Sequence, residues 1–345
     1  MRNLLLQFQK QNHKLFLLST NGKNLLQREL LNRLDRKIAT PDIDICYTLP
    51  RNFKSRFKKG SRLKMAIYNY ETEFIPKKWV NEIRRIDYAL PSSNFSKEVF
   101  VNSGWPDKKC VVIPHGINPE DYLIEDKLEL HSSRSFKFLN ISIPHYRKNI
   151  DVLLDAYYSA FSNEDDVVLV LKTKLEVPNR KLYRFEVDVK KQIMQMQKKH
   201  MHRPGGLPVV EVIQDRLPSM VPLYNACDVV VSATSTEGFG MPLLEGLAAG
   251  NLVIAPRCTG QLDFLNDKNS LLADVKMISA GTKYQYWEPT KGAKTYLPIV
   301  DSLSDAMLNA YNNRDDLLSR FKPESDRICK EFTWENAAKK ILDLS

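Results

Sequence analysis

Short apolar runs rich in Val, Ile and Leu alternate along the chain with amphipathic stretches, the order expected of parallel α/β sheets rather than of a sandwich. In the first part the pattern predicts strands over Lys14–Ser19, Ile43–Tyr47, Leu63–Asn69, Tyr88–Pro91 and Cys110–Ile113, with helices over Leu25–Leu34 and Phe95–Asn102. The second part predicts strands over Phe136–Ile143, Val167–Lys172, Val209–Ile213, Val229–Ser232 and Asn251–Ala255. Helices over Ile150–Phe161, Phe185–His200, Pro218–Ala226 and Pro242–Ala249 separate them. Two successive β/α layers predict an α/β protein with two Rossmann-like lobes facing across a cleft. The joint falls in Ile113–Asp121, where two prolines and a glycine interrupt both periodicities, so the lobes are expected over residues 1–120 and 121–330. Residues Ile278–Pro298, with Tyr284, Tyr286, Trp287 and Tyr296, read as an ordered insertion before the last helices.

The length of 345 residues fits two domains, each able to bury a core. A hydrophobic share of 43% with 27% charged residues is that of a globular protein. No tract reaches the roughly 18 apolar residues of a membrane span, and the opening residues lack a secretory pattern. A cytoplasmic location is the expectation, and the five scattered cysteines are expected to be reduced. His200 and His202 lie in a Lys-Lys-His-Met-His-Arg stretch read as a solvated basic loop, not a metal site.

Charge is uneven. Residues 1–115 hold 22 Lys and Arg against 10 Asp and Glu, more than the whole net charge of +10. Arg51–Lys64 has seven basic residues, no acid, and phenylalanines at 53 and 57. That mix suits an anionic membrane surface or an anionic acceptor, each basic residue adding about 1 kcal/mol near acidic lipid. It also suits a solvated loop. No nucleic-acid motif accompanies the basic lobe, so a nucleic-acid partner is unlikely.

The chemistry concentrates in Ser232–Gly250. A strand ends, a glycine-rich turn follows, and Pro242 stands at the start of a helix, where proline is favoured. The free N–H groups of such a helix start, with those of Gly238, Phe239 and Gly240, form an anion site suited to a diphosphate. Glu237 and Glu245 flank it. A carboxylate accepts two hydrogen bonds from vicinal hydroxyls, as a ribose or sugar requires, while Glu245 in the first turn would also favour its own helix dipole.

The segment Glu237–Ile254 resembles the signature E-G-F-G-x-P-x-x-E-A-M-A-x-G-x-P-V-I of the retaining glycosyltransferases of family 4, which have the GT-B fold. Gly246 stands for the usual Ala and Leu252 for Pro. The resemblance implies that Glu237 contacts the transferred sugar, that the backbone of Gly238, Phe239, Gly240 and Met241 meets sugar and phosphate, and that Glu245 holds the ribose. A second element, Asn140–Ala156, is similar to the family's Gly-Arg…Lys-Asn segment, whose Arg and Lys clamp the leaving diphosphate. Lys148 and Asn149 match. The arginine position falls on Ser142 or Ile143, leaving Arg147 to replace it; both cations could equally be solvent-facing charges at a helix start. A departing diphosphate needs cations aimed at it.

Lys172 at the end of its strand is a third phosphate contact or a surface lysine, and Ile213 is the expected contact to the base. In the first lobe Glu71 stands where relatives place an acceptor-side His or acid, or is an exposed loop acid. The family's glycine-rich first loop has no counterpart, so either the start lies upstream or the acceptor lobe is shortened. The last helix, Thr333–Leu342, resembles the segment by which the family's chain crosses back to the first lobe, so 331–345 is expected to pack there. The resemblance implies transfer of a sugar from a nucleoside-diphosphate sugar to a glycan, lipid or other acceptor, with no cofactor beyond the donor; the helix N-terminus and the lysines are expected to take the place of a metal ion. The alternative is a non-catalytic nucleotide-sugar-binding protein of the same fold.

Overall fold

The computed structural model describes residues 2–11, 41–57, 60–175, 187–285 and 290–345. The strand expected over Lys14–Ser19, the helix over Leu25–Leu34, the start of the helix at Phe185, Lys58, Lys59, Tyr286 and Trp287 lie outside them. The chain forms two compact units, one of Met1–Asn69, Ile75–Asn118 and Glu331–Ser345, the other of Tyr70–Phe74 and Pro119–Lys330.

The first unit holds a three-stranded parallel sheet in the order β1 (Ile43–Tyr47), β2 (Leu63–Ile67), β3 (Tyr88–Leu90). Its helices are α1 (Arg2–Lys10), the single turns α2 (Phe53–Arg56) and α3 (Lys77–Val80), and α4 (Asn94–Asn102), which Ser93 caps by accepting from Ser96 N. Phe53 is fully buried with its ring 5.7 Å from that of Phe57. Phe53 therefore belongs to the core and Phe57 is half-buried, while Arg51 and Lys54 stay exposed. The strand expected at Cys110–Ile113 reduces to one bridge, Ala89 to Cys110. Val111 N and Ile113 N still donate to Ala89 O and Pro91 O, but β3 is only three residues long and Pro91 and Pro114 bring no N–H to extend the ladder.

The C-terminal segment belongs to this unit. Ile117 N donates to Phe332 O at 3.0 Å and Trp334 N to Ile117 O at 3.1 Å. A Cβ on Gly116 would stand 2.1 Å from the carbonyl carbon of Thr333, so only glycine permits the approach. Helix α11 (Trp334–Leu342), capped by Thr333, then packs on α1.

The second unit carries a six-stranded, all-parallel sheet: β4 (Phe136–Ile141), β5 (Val167–Lys172), β6 (Val209–Ile213), β7 (Val229–Val231), β8 (Leu252–Pro256) and β9 (Leu271–Ala273), in the order β6-β5-β4-β7-β8-β9. Runs such as Val167–Leu171 and Leu252–Pro256 are buried throughout, as strands covered on both faces must be. Alternate residues split between those faces. Phe136, Phe138, Leu169, Val229, Val231 and Ile254 share one core with α5 (Ile150–Ala160), α6 (Val189–His200), α9 (Val300–Asn312) and α10 (Arg314–Glu331). Val230, pointing oppositely, meets α8 (Met241–Ala248): a Cβ on Gly246 would lie 2.7 Å from Val230 Cγ2, which explains why the smaller residue stands there. Helix α7 (Val221–Asn225) precedes β7.

His200 is no loop residue: it ends α6 with Nε2 2.7 Å from Asp155 Oδ1, the carboxylate that also takes Lys199. In the stretch read as an ordered insertion, β10 (Val275–Ser279) and β11 (Lys294–Pro298) pair as an antiparallel hairpin beside a small core of Ala280, Tyr284 and Ala293.

Candidate active site

The strand order reverses between β4 and β7, which pair side by side. In such sheets the crevice beyond the carboxyl ends of these two strands is the ligand position. The connections leaving them are residues 142–149, which lead into α5, and residues 232–240, which lead into α8. Both helices therefore begin at the switch point.

Local chemistry fixes the two connections to one another. Asn149 adopts a left-handed conformation (φ 47°), which Asn tolerates better than most residues, and its Nδ2 donates to Ala233 O and Ser235 Oγ, each at 2.8 Å. Ser235 N donates to Arg147 O at 2.7 Å. His145, buried, accepts from Arg147 N through Nδ1 at 3.1 Å. On the other side Thr259, the second non-glycine residue at positive φ among the described residues (59°), accepts from Glu237 N at 3.0 Å. Backbone held in this region concentrates at functional sites. Gly240 (φ 100°) turns the chain into α8, with Met241 and Pro242 as its first two residues.

Four charged side chains meet on this frame. Lys148 Nζ is bonded to Glu237 Oε1, and Arg147 Nη1 lies 3.2 Å from the same oxygen. Arg147 Nη2 lies 3.1 Å from Glu71 Oε1, and Nη1 also donates to Thr236 O at 3.0 Å. The cations are thus buried in ion pairs and are not solvent-facing, and Glu71 is not a free loop acid. Burial would raise the Glu237 carboxyl, but Lys148 and Arg147 outweigh it and hold the group below the ordinary carboxylate range. Glu71, for which burial dominates and whose neighbour Glu237 opposes a second negative charge, is held above that range. Burial and the adjacent guanidinium push the Lys148 ammonium down. Burial, with the neighbouring cations Arg147 and Lys148, pushes the His145 imidazole down to about 3.

Glu71 reaches this cluster because residues Tyr70–Phe74 pack with the second unit through the hairpin. Lys294 N donates to Glu73 Oε2 at 2.9 Å, Thr290 Oγ1 to Phe74 O at 3.2 Å, and the Tyr70 and Thr290 hydroxyls stand 3.4 Å apart.

Glu245 lies apart from the quartet. It is the fifth residue of α8 and not in its first turn, because the helix starts at Met241, one residue before the expected Pro242, with Gly240 as its cap. Its Oε2 accepts from the hydroxyl of Tyr224 at 2.7 Å. Burial raises the carboxyl and that hydrogen bond works against the rise. Tyr224 is fully buried and its hydroxyl also lies 3.3 Å from Pro242 O. The Phe239 ring is buried against Phe264, 5.0 Å between centroids, so that residue turns its side chain into the core. Gly238 is buried, and Met241 half-buried.

Lys172 and Ile213 form a second group at the ends of β5 and β6. Lys172 Nζ donates to Asp215 O at 2.6 Å and reaches Ile213 O at 3.5 Å, so its ammonium rests on backbone carbonyls. Among the described residues no three His, Cys, Asp or Glu are grouped to hold a metal ion. The sequence pattern missed Tyr224, His145 and Thr259, which carried no local signal; Asn149 was matched to the family's Lys-Asn pair, but not its left-handed backbone or its hydrogen bonds to Ala233 and Ser235.

Residues 137–282 match the family model described as glycosyl transferases group 1. The chain is 29% identical over 137 residues to the D-inositol 3-phosphate glycosyltransferase of Corynebacterium urealyticum. That alignment covers 39% of this chain and 27% of the relative, so it spans about a quarter of the relative's length. Among solved structures, Anabaena Alr3699/HepE in complex with UDP and glucose matches with a TM-score of 0.63 at 15% identity, covering 87% of this chain and 77% of that one. A glycosyltransferase from Rickettsia africae matches with a TM-score of 0.62 at 16% identity, over 99% and 86% of the two chains. The UDP-forming α,α-trehalose-phosphate synthase from Burkholderia xenovorans matches with a TM-score of 0.65 at 11% identity, over 87% and 72%. The fold is α/β of the GT-B type.

Proposed function

We propose that the chain is a glycosyltransferase that moves a sugar from a UDP-sugar to a hydroxyl of a glycan or lipid-linked acceptor, with retention at the anomeric carbon. One observation carries the reading: Glu237, Arg147 and Lys148 meet between the starts of α5 and α8, beyond the ends of β4 and β7. Two helix N-termini and a cation converging on one point favour a diphosphate. UDP is the nucleotide because the similar structures of the Anabaena protein hold UDP and glucose, and the Burkholderia one is UDP-forming.

In the reaction the bond from the anomeric carbon to the diphosphate breaks, and its electron pair leaves with the phosphate oxygen. The acceptor oxygen bonds to the same face, and its proton passes to the departing phosphate. Lys148 and the helix N-termini meet the developing charge, a role that works best where the groups are already ordered. Glu237 and the backbone of Gly238–Met241 hold the sugar, and Glu245 accepts from the ribose hydroxyls. Ile213 borders the base, Lys172 beside it is the third phosphate contact, and Glu71 orients the acceptor. The reaction takes no metal and no cofactor besides the donor. No helix among the described residues is long and apolar enough to cross a membrane; contact with an anionic membrane through 51–64 would be electrostatic. The enzyme works in the cytoplasm.

Turnover of a UDP-sugar, read as UDP release with and without acceptor sugars, tests the proposal. The wild type releases UDP and Glu245→Ala does not. Full activity in that variant overturns the assignment, and donor binding without turnover on any acceptor favours a non-catalytic binder.

A further inference from the structure

Arg147 was the residue expected to stand in for a clamp arginine, and its surroundings assign it another task. Its guanidinium is held on two sides: Nη2 by Glu71, and Nη1 by Glu237 and by the Thr236 carbonyl. Its main chain is fixed as well, the N–H by His145 and the C=O by Ser235 N and Thr234 Oγ1. The residue is only 7% exposed. To grip a phosphate, the guanidinium would have to abandon a carboxylate and leave it buried and unpaired, which is costly. Lys148 differs. Its ammonium carries three donors on a flexible stem, so it can keep Glu237 and still reach an anion.

We propose that Arg147 is a positioning residue: its planar fork bridges Glu71 and Glu237, so that the two carboxylates are delivered to the sugar site as one rigid pair. The hairpin of β10 and β11 completes the device, since Lys294 N and Thr290 Oγ1 pin the Tyr70–Phe74 segment that carries Glu71. A guanidinium suits the task because Nη1 and Nη2 hold fixed positions in one plane, one for each carboxylate, whereas a lysine's single nitrogen on a flexible stem fixes neither. The diphosphate is then met by Lys148 and by the starts of α5 and α8.

The inference rests on the proposed UDP-sugar reaction, and one set of measurements separates the two. UDP affinity is measured by calorimetry and donor hydrolysis by UDP release, for the wild type and for Arg147→Ala, Arg147→Lys, Glu71→Gln, Lys148→Ala and Arg147→Ala/Glu71→Gln. The bridge predicts a UDP Kd within about threefold of wild type for every Arg147 and Glu71 variant, against a rise of tenfold or more for Lys148→Ala. It predicts that kcat falls at least about thirtyfold in Arg147→Ala, Arg147→Lys and Glu71→Gln alike, and no further in the double variant, as residues acting as a unit behave. Arg147→Lys and Glu71→Gln, which keep side-chain volume, decide the matter if Arg147→Ala fails to fold. A UDP Kd raised in Arg147→Ala as much as in Lys148→Ala, or losses that multiply in the double variant, overturns the bridge and leaves the reaction standing. A wild type that binds no UDP removes both.

Discussion

Replacing Tyr224 by Phe deletes one hydroxyl and keeps the ring that fills its buried position. That hydroxyl donates to Glu245 Oε2 at 2.7 Å, its shorter contact, with Pro242 O at 3.3 Å. A hydrogen bond to a charged partner contributes about 1.5–3 kcal/mol, and about 1.4 kcal/mol is tenfold in affinity. If Glu245 holds the ribose as a carboxylate, Tyr224→Phe weakens UDP binding by about 10- to 150-fold. The pH dependence has a definite sign. Burial already raises the Glu245 carboxyl and the Tyr224 bond opposes that rise, so its loss raises the group further. The variant's carboxylate is therefore protonated first as the pH falls, and the ratio of variant to wild-type Kd grows toward acid. Calorimetric titration with UDP at several pH values measures it. A ratio within twofold that stays flat with pH refutes the reasoning.

Glu245→Gln should raise the melting temperature at pH 7.5 while removing UDP binding. Its folded carboxyl binds a proton more tightly than the unfolded one, so the cost of burying the charge is present at neutral pH and vanishes in acid, where variant and wild type converge. His145 has the opposite consequence. Its folded value of about 3 lies below the unfolded value of about 6.5, so stability is full above the unfolded value and is lost as pH falls toward 3. His145→Asn keeps an acceptor at the cap and should flatten the decline in melting temperature between pH 6.5 and 4. Gly116→Ala places a Cβ 2.1 Å from backbone that has no room to yield, and should cost about 2 kcal/mol through the two hydrogen bonds to Phe332 and Trp334. Hydrogen exchange at the Trp334 amide should rise at least tenfold in that variant, and unchanged protection would contradict the docking.

Local pattern was enough for much of the fold. Val167–Lys172 is a strand as expected, because a parallel sheet covered on both faces demands a continuous apolar run; Ile43–Tyr47 and Val209–Ile213 are strands as expected too, although each carries an acid and is only half-buried. The hairpin 275–298 was not legible as strands, since Lys276, Met277 and Lys294 are exposed and no alternation marks a two-stranded ribbon. At the site, glycine and proline around Glu237 and the lysine before Asn149 were local signals. The contacts that give those residues their character come from far along the chain. Glu71 meets Arg147 76 positions later, and Tyr224 meets Glu245 through a fold that the spacing alone does not imply. Arg147 was read as a cation facing phosphate because the sequence shows a charge and not its partners.

The proposed reaction requires a nucleoside-diphosphate sugar to bind at the β4/β7 switch point. A thermal-shift titration of the wild type with UDP-glucose, beside GDP-, ADP- and dTDP-sugars, tests it most directly, because a ligand bound only by the native state adds about 2.7 kcal/mol at a hundredfold excess over Kd. UDP-glucose is expected to raise the melting temperature by several degrees, and to do so much less in Lys148→Ala. A melting temperature unmoved by any of these sugars at millimolar concentration would contradict the account.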